Sequence, residues 1–354
     1  MTLYEHVADL PLRVEEHGLE RHERETSSGF ARATTVVSLR GDSHTGRGED
    51  VTYDTAEHDA LRETDPDWDL AGDYTLRSFS AALDDVDLFF GRDPDREEFH
   101  SYRRWALESA ALDLALRQSE TTLGSALDRR YDPVRFVIST RLGDTPTTDR
   151  VDDWLAIQPE SEFKLDPTPE WTDELVADLA ATGAVRILDL KGTYEGTEVD
   201  NPADVDLYRR VLAGFPDAIV EDPRLTNETR ELFVNEEDRV SWDHPITSVE
   251  SIESLPFEPR WLNVKPSRFG TVESLLDSIE HCLERDIRLY GGGQFELGVG
   301  REHIQTLASL FYPDGPNDVA PGGYNDPEPQ EGLPESPLVA PAAPAGLGFV
   351  DEGA

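Results

Sequence analysis

VRILDLKG (residues 185–192) is the first of four short apolar runs that each carry a charged residue at or near the end. The others are AIVED (218–222), RVSWD (239–243) and WLNVK (261–265). Helix-like segments such as DVDLYRRVLAGF (204–215) lie between these runs. Alternation of strand-like and helix-like segments at this pitch indicates βαβ units and therefore a parallel sheet.

The alternation extends beyond these runs on both sides. RFVISTRL (135–142) and SEFKL (161–165) are strand-like, and IRLYGG (287–292) continues into GGQFELG (292–298), which closes the series. About eight such units over roughly 200 residues favour an α/β fold of the closed (β/α) TIM-like barrel type. An open, doubly wound parallel sheet is the alternative.

Other segments allow simpler predictions. Helices are predicted at 102–127 and over NETRELFVNEED (227–238). Cys282 lies in a helical pattern and is predicted to be a small core residue rather than a nucleophile. From Tyr312 onward the chain is rich in Pro, Gly and acid, which is typical of a loop or tail. Its apolar end, PLVAPAAPAGLGFV (337–350), could dock on another domain.

Three of the four runs carry acids, Asp189, Glu221 and Asp243, separated by 32 and 22 residues (189 to 221, and 221 to 243). Residues at equivalent strand ends converge on the mouth of a barrel. Three carboxylates brought together cannot all stay ionised without a compensating charge. A divalent cation held by oxygen ligands supplies that charge, with Mg²⁺ the first candidate and Mn²⁺ the alternative. The competing interpretation makes each acid the N-cap of its own helix.

The chain contains only three lysines, Lys164, Lys191 and Lys265, against 74 Asp and Glu residues. Lysine, unlike arginine, has a pKa that burial or neighbouring charge can lower. Because side chains alternate along a strand, we expect Lys191 on the same side as Asp189, and Lys164 on the same side as Glu162 and Asp166. Beside a bound cation the pKa values of these amines should fall toward the working pH, which would let them act as general bases.

Four further segments match the motifs of a known family. They are ALESAALDLALRQSETTLGSAL (106–127), NVKPSRFG (263–270), GGGQFELGVG (291–300) and PAGLGFVDE (344–352). Together with the three acids they make the chain resemble the enolase superfamily, close to the mandelate racemase and muconate-lactonizing enzymes. In that family the metal ligands lie on the third, fourth and fifth barrel strands, where the acids fall here, and a Lys or His base works beside Mg²⁺.

This resemblance implies a domain organisation. Residues 104–337 would form a modified (β/α)7β barrel. Residues 1–103 would form an α+β capping domain completed by residues 338–354. The capping-domain loops near Thr26–Ala31 and Gly48–Tyr53 would close over the substrate and set its specificity.

The resemblance also implies roles for single residues. Lys164 and Lys265, on opposite faces of the substrate, suit the lysine-based subgroup of the family. The second strand of the family usually carries Lys-x-Lys, and here Glu162 replaces the first lysine. Lys191 stands where the family has Asn, and could bind a second anionic group or act as an extra acid. The predicted substrate-binding residues are Glu296, Asp166 and Arg268.

The predicted function is a metal-dependent enzyme that abstracts the proton α to a substrate carboxylate through an enediolate. A racemase, epimerase or cycloisomerase reaction is favoured, with β-elimination as the alternative (an acid-sugar dehydratase or a succinylbenzoate synthase-like lyase). Two other classes stay open: a Schiff-base aldolase, in which a buried lysine attacks a carbonyl, and a non-catalytic member of the family. The predicted partner is a small carboxylate, and self-association into a homo-oligomer is an open alternative.

The net charge of −42 at pH 7 constrains the partners and the setting. No basic stripe exists to neutralise phosphates, so nucleic acid and anionic membranes are excluded as partners. No apolar run approaches a membrane span, and no secretory signal is recognised at the N-terminus. Because the acid is spread over the chain between apolar runs, the composition is typical of a folded protein in a halophilic cytoplasm.

The acidic surface predicts a dependence on salt. Repulsion between exposed carboxylates is screened over a Debye length of about 10 Å at 0.1 M salt and about 3 Å at 1 M. We therefore expect the melting temperature to rise between dilute and molar KCl, with loss of structure at low salt. A melting temperature that does not change over this range would refute the halophilic interpretation.

Overall fold

The N-terminal part of the chain forms two small antiparallel sheets with helices packed beside them. In this computed structural model the described residues are 1–27, 29–197 and 199–350. The N-terminal elements are β1 (Pro11–Val14), β2 (Glu16–Glu25), β3 (Ala31–Gly41), β4 (His44–Asp50), α1 (Thr55–Thr64), β5 (Gly72–Thr75) and α2 (Leu76–Leu83). One sheet has the order β2-β3-β4, and the other pairs β1 with β5. Asp54 and Thr75 cap α1 and α2 through their side chains, which stops the chain from continuing as a strand.

Helix α3 (Glu98–Gln118) packs closely on β4, and glycines make this approach feasible. A Cβ atom at Gly48 would lie 2.0 Å from the carbonyl oxygen of Ala106.

The predicted helix over 102–127 is only partly correct. The chain leaves the helix after Gln118, and the Thr122 side chain caps a new short helix, α4 (Leu123–Ala126). The proposed domain boundary at 103/104 falls inside α3, and that division stays a prediction.

The rest of the chain alternates strands and helices around one parallel sheet. Its strands are β6 (Ile138–Thr140), β7 (Phe163–Leu165), β8 (Val185–Asp189), β9 (Ile219–Glu221), β10 (Val240–Trp242), β11 (Trp261–Val264) and β12 (Arg288–Gly291). Its helices are α5 (Asp149–Ile157), α6 (Asp173–Ala181), α7 (Val205–Gly214), α8 (Val249–Glu253), α9 (Pro266–Phe269), α10 (Val272–Glu284) and α11 (Gly300–Phe311). The seven strands lie side by side in sequence order, and every neighbouring pair is parallel.

Residues 317–319 close this sheet into a barrel. The carbonyl oxygen of Asn317 accepts a hydrogen bond of 2.8 Å from Val137 N, next to β6. On the other side, Asp318 N donates to the carbonyl oxygen of Gly291 at 2.8 Å. Parallel bridges Phe136–Asn317 and Gly292–Asp318 accompany these bonds. The fold is thus the (β/α)7β barrel, and the open-sheet alternative is wrong. GGQFELG, which we expected to close the series, is a loop after β12.

One helix prediction needs correction, and the prediction of a loop or tail after Tyr312 is decided in favour of a loop. The segment 227–238 contains only short 3-10 helices, Arg230–Phe233 and Glu237–Arg239. The residues after Tyr312 are irregular but not a detached tail, since Tyr324 and Leu347 are buried. Leu347 N donates to Asp113 of α3 at 2.9 Å, so the apolar C-terminal run docks there; residues 351–354 lie outside the described part.

Two smaller points concern apolar segments. Cys282 is buried in α10, as predicted. Among the described residues, the helices are all too short or too polar to cross a membrane.

Candidate active site

The three predicted metal ligands meet at the carboxyl ends of adjacent strands. Asp189 and Glu221 are the last residues of β8 and β9 and are register partners, and Asp243 follows β10 directly. One oxygen from each carboxylate lies within 4.8 Å of the others, and all three side chains are buried. The helices that follow are capped by other residues, Asp204 for α7 and Ser248 for α8, so the N-cap interpretation of the acids is wrong.

The nearest carboxylate of this triad is a different one for each of the three lysines. Lys164 Nζ lies 2.5 Å from Glu221 Oε1 and 3.4 Å from Asp189 Oδ2. Lys265 Nζ lies 2.9 Å from Asp243 Oδ2. Lys191 Nζ donates to Asp189 Oδ2. The structure therefore brings together all six residues that the sequence predicted as bases and metal ligands.

Lys191 reaches Asp189 by a different route from the one expected. Strand β8 ends at Asp189, so strand alternation does not extend to Lys191. Instead, Lys191 adopts a left-handed backbone conformation (φ 53°), and its N–H donates to Asp189 Oδ1 at 3.1 Å. Because of this turn, the backbone N–H and the ammonium group of Lys191 both donate to the carboxylate of Asp189.

Burial and the neighbouring charges shift the pKa values of the three acids in different directions. Burial raises the pKa of Glu221 well above its usual value; Lys164 opposes this shift, while Asp189 adds to it. Burial alone would also raise the pKa of Asp189, but Lys191 and Lys164 hold it below its usual range. In Asp243 the same opposition comes from Arg268 and Lys265, and its pKa is lowered. Thus the pKa of Glu221 is shifted in the opposite direction from those of Asp189 and Asp243, because the three crowded carboxylates differ in their neighbouring cations.

The lysine amines respond in the opposite sense. Burial lowers the pKa of Lys164, but the carboxylates of Glu221 and Asp189 outweigh it and raise the pKa well above its usual value. The pKa of Lys191 is likewise raised, because Asp166 and Asp189 outweigh burial. These directions describe the protein groups alone. The lower pKa values expected beside a bound cation stay a prediction.

The donor set fits a hard divalent cation. Asp243 Oδ1 is buried and has no hydrogen-bond partner in residues 1–27, 29–197 and 199–350. The other oxygen of that carboxylate, Oδ2, accepts from Lys265 and from Tyr194 Oη at 2.8 Å. A buried carboxylate oxygen without a donor is costly unless a cation satisfies it. Three carboxylates and no nitrogen or sulfur ligand suit Mg²⁺ or Mn²⁺.

Two polar neighbours of Glu221 were missed, although strand alternation would have found them. Asn263, two residues before Lys265, donates from Nδ2 to Glu221 Oε2 at 3.2 Å. Tyr290 of β12 donates from its hydroxyl to the same oxygen and lies 2.8 Å from Ser241 Oγ, two residues before Asp243. Period-two alternation places such residues on the lumen side of their strands.

Three other residues at the site come from loops and carry no such signal. Tyr194 bridges Asp243 and Arg268, with 3.0 Å between its hydroxyl and the guanidinium. Asp222 accepts from the backbone N–H groups of Asp243 and His244 at 2.9 Å each, which orients the third ligand. Asp318 Oδ2, in the closing segment, lies 3.7 Å from Lys164 Nζ.

The predicted substrate-binding residues are distributed unevenly. Arg268 Nη2 lies 3.5 Å from Asp243 Oδ2. Asp166 lies between Arg141 (3.0 Å) and Lys191 (3.9 Å) at the edge of the site. Glu296 instead accepts from Gln294 N at 2.8 Å and faces Arg301; no contact with the triad is found among the described residues. Their roles in substrate binding stay predictions.

Glu162, in place of the usual first lysine, has a structural role of its own. Its carboxylate lies 2.6 Å from Arg135 and 2.6 Å from Arg186. It therefore belongs to an ion cluster at the start of the strands, away from the triad.

The predicted capping loops do reach the barrel mouth. Tyr53 donates from its hydroxyl to Gln294 Oε1 at 2.9 Å, and Phe30 makes an edge-to-face contact with Phe295. Arg32 is buried and donates to the carbonyl oxygen of Gln294. Ser28, within the first loop, lies outside the described residues. The part these loops play in specificity stays a prediction.

Solved structures with the same fold support the resemblance found in the sequence. The muconate cycloisomerase of Pseudomonas fluorescens matches with a TM-score of 0.63 at 15% identity, over 87% of both chains. A protein assigned as a mandelate racemase/muconate-lactonizing enzyme from Roseovarius nubinhibens, solved in complex with magnesium, matches with a TM-score of 0.63 at 17% identity, over 85% of both chains. Fold and site thus define a protein with the architecture of the enolase superfamily. The lysine-based subgroup stays a prediction.

Two curated relatives and a pair of family models complete the comparison. The o-succinylbenzoate synthase of Bacillus subtilis is 25% identical over 221 residues, which cover 60% of this chain and 58% of the relative. The corresponding enzyme of Listeria innocua is 33% identical over 84 residues, 23% of this chain and 22% of the relative. The matches therefore span less than two thirds of either relative. Models described as Domain of unknown function (DUF8230), N-terminal and C-terminal domain, match residues 5–126 and 130–326, and the chain belongs to this family.

Proposed function

We propose that the protein is a Mg²⁺-dependent enzyme that removes the proton α to the carboxylate of a small substrate, in the cytoplasm. The observation that carries this proposal is the order of the strands. Lys164 on β7 and Lys265 after β11 flank the three strands that end in the triad. A substrate bound in front of the triad therefore has one amine on each side.

In this proposal the acids and the lysines of the site have separate roles. Asp189, Glu221 and Asp243 hold the ion. Magnesium, when bound, neutralises the substrate carboxylate and stabilises the negative charge that develops as the α-proton leaves. One of the flanking lysines takes the proton from the α-carbon, and the other is placed to return a proton on the opposite face. This arrangement suits a racemase or epimerase, and equally a cycloisomerase.

The curated relatives favour a second candidate, β-elimination. Both are named o-succinylbenzoate synthase. In this reaction class the second lysine would donate its proton to a leaving hydroxyl group instead of to carbon. The same α-proton is removed first, so the two candidates share the base and the metal.

The test is exchange of the α-proton in deuterium oxide. We expect the protein to exchange the α-proton of at least one substrate in a panel of acid sugars, N-acyl amino acids, dipeptides and the hydroxylated precursor of o-succinylbenzoate, measured by NMR. Exchange should stop with EDTA and return with Mg²⁺, because the ion holds the substrate carboxylate. Elimination would appear as an unsaturated product, and epimerisation as the opposite configuration.

Two results would contradict the proposal. Turnover that persists in EDTA, with substrate trapped on a lysine by borohydride, would identify a Schiff-base aldolase. Binding of substrate without any exchange would identify a non-catalytic member of the family.

A further inference from the structure

Lys191 is the one lysine that has no role in the proposed proton transfers. Its ammonium group does not face a base across the site. It donates a hydrogen bond to Asp189 Oδ2, an oxygen of a proposed metal ligand. The side chain is 16% exposed, so water does not substitute easily for this partner. The backbone turn at φ 53° holds Lys191 against Asp189 through a second bond.

The charges at the site show what this placement does. The triad provides three negative charges, and Lys191 adds a positive charge directly on one of them. Lys164 and Lys265 also touch the triad, but these are the amines that face the reaction. Lys191 thus remains as an additional cation beside the proposed ligands. A cation within about 4–6 Å lowers the pKa of a carboxylate by about 1–3 units, which weakens proton binding about 10- to 1,000-fold, and it opposes the binding of a metal ion to that carboxylate in the same sense.

We propose that Lys191 is a built-in counter-cation of the metal site, which competes with the divalent ion for Asp189 and weakens its binding. This inference rests on the proposed function, because it takes the triad to be the magnesium site. Its consequence is that the metal-free protein stays ordered: Asp189 is already satisfied by an ammonium group when no ion is bound.

The geometry lets the ammonium and the ion coexist once metal binds. Lys191 Nζ lies 3.9 Å from Asp166 Oδ1, at the edge of the site. Asp166 also pairs with Arg141, whose side chain is 43% exposed. When the ion takes Asp189, the ammonium can shift to Asp166 without leaving the site. The Tyr194 ring, 5.2 Å from Nζ, lines the same position and attracts a cation.

The test compares metal affinity in Lys191→Asn and Lys191→Arg. Asparagine is neutral and tolerates the left-handed turn better than most residues, so the fold should survive. We expect Mg²⁺ to bind Lys191→Asn about 10-fold or more tightly than wild type in calorimetric titrations, and Mn²⁺ to do the same by electron paramagnetic resonance. Arginine keeps the positive charge, so Lys191→Arg should bind Mg²⁺ less tightly than Lys191→Asn does.

A thermal readout separates this role from a merely structural one. We expect Lys191→Asn to melt at a lower temperature than wild type in EDTA, and close to wild type with saturating Mg²⁺. A structural role would lower both melting temperatures equally. Should Lys191→Asn fail to fold, Lys191→Gly removes the same charge and accepts the same φ.

The outcomes distinguish the two proposals. Equal or weaker Mg²⁺ binding by the neutral variants overturns the role of Lys191 and leaves the proposed function standing. Wild-type protein and variants that all fail to bind Mg²⁺ and Mn²⁺ overturn the metal site itself, and with it the proposed function.

Discussion

Lys265→Ala is expected to abolish exchange of the substrate α-proton, with a loss of about 10²- to 10⁴-fold, the range that a general acid or base contributes. The Lys265 amine lies 2.9 Å from Asp243 and flanks the triad at the end of β11. Removing it leaves one side of the substrate without a proton acceptor. Folding should be little affected, because Asp243 keeps Tyr194 and Arg268 as partners.

The control for this prediction is Lys265→Arg. Arginine restores the positive charge beside Asp243 but does not deprotonate in proteins, so it cannot act as a base. We therefore expect both variants to be inactive, although only Lys265→Ala loses the charge. Exchange is measured by NMR in deuterium oxide and folding by the thermal transition. Full exchange in the arginine variant would show that Lys265 acts through its charge, and full exchange in both would remove it from the mechanism.

Glu221→Gln is expected to abolish Mg²⁺ binding and all metal-dependent exchange. Glu221 is the middle ligand of the triad, and the substitution removes one of three charges that hold the ion. The fold should tolerate it. Glutamine keeps the shape of the glutamate side chain, and Lys164 keeps Asp189 and Asp318 as ionic partners. Asn263 and Tyr290 can still donate to the amide oxygen.

The matched control is Glu302→Gln. Burial also raises the pKa of Glu302, but this side chain accepts from Phe349 N near the C-terminal run and belongs to α11. We expect this variant to bind Mg²⁺ like wild type in calorimetry, and Mg²⁺ to raise its melting temperature normally. Undiminished Mg²⁺ binding by Glu221→Gln would mean that the ion, if any, is held elsewhere, and the triad would lose its assigned role.

The positions of the proposed ligands and bases could be predicted because they follow from simple periodicities. Asp189, Glu221 and Asp243 recur at the interval of one βα unit, and the ends of adjacent parallel strands meet at one edge of a sheet. Lys164 and Lys265 lie on the same framework, one strand before and one strand after the acids. Local pattern and global fold agree at these positions.

Periodicity did not extend to the loops or to the closure of the barrel. Asp318 lies in a Pro- and Gly-rich stretch that resembles a tail, yet two hydrogen bonds hold that stretch between β12 and β6. Tyr194 reaches Asp243 only because the loop after β8 folds back over the mouth. Such contacts join residues far apart along the chain, and composition carries no information about them.

The amino-acid sequence by itself determined the parallel series of strands and helices, the acid triad and the flanking amines, because each depends on short-range repetition of strand and helix. Only the tertiary structure decided which amine meets which carboxylate. In the structure, the left-handed conformation of Lys191 lets its ammonium group contact Asp189. Glu296 lies away from the triad, and Asp318 lies near Lys164. These outcomes rest on loop conformation and on packing between distant segments, where no periodic signal exists.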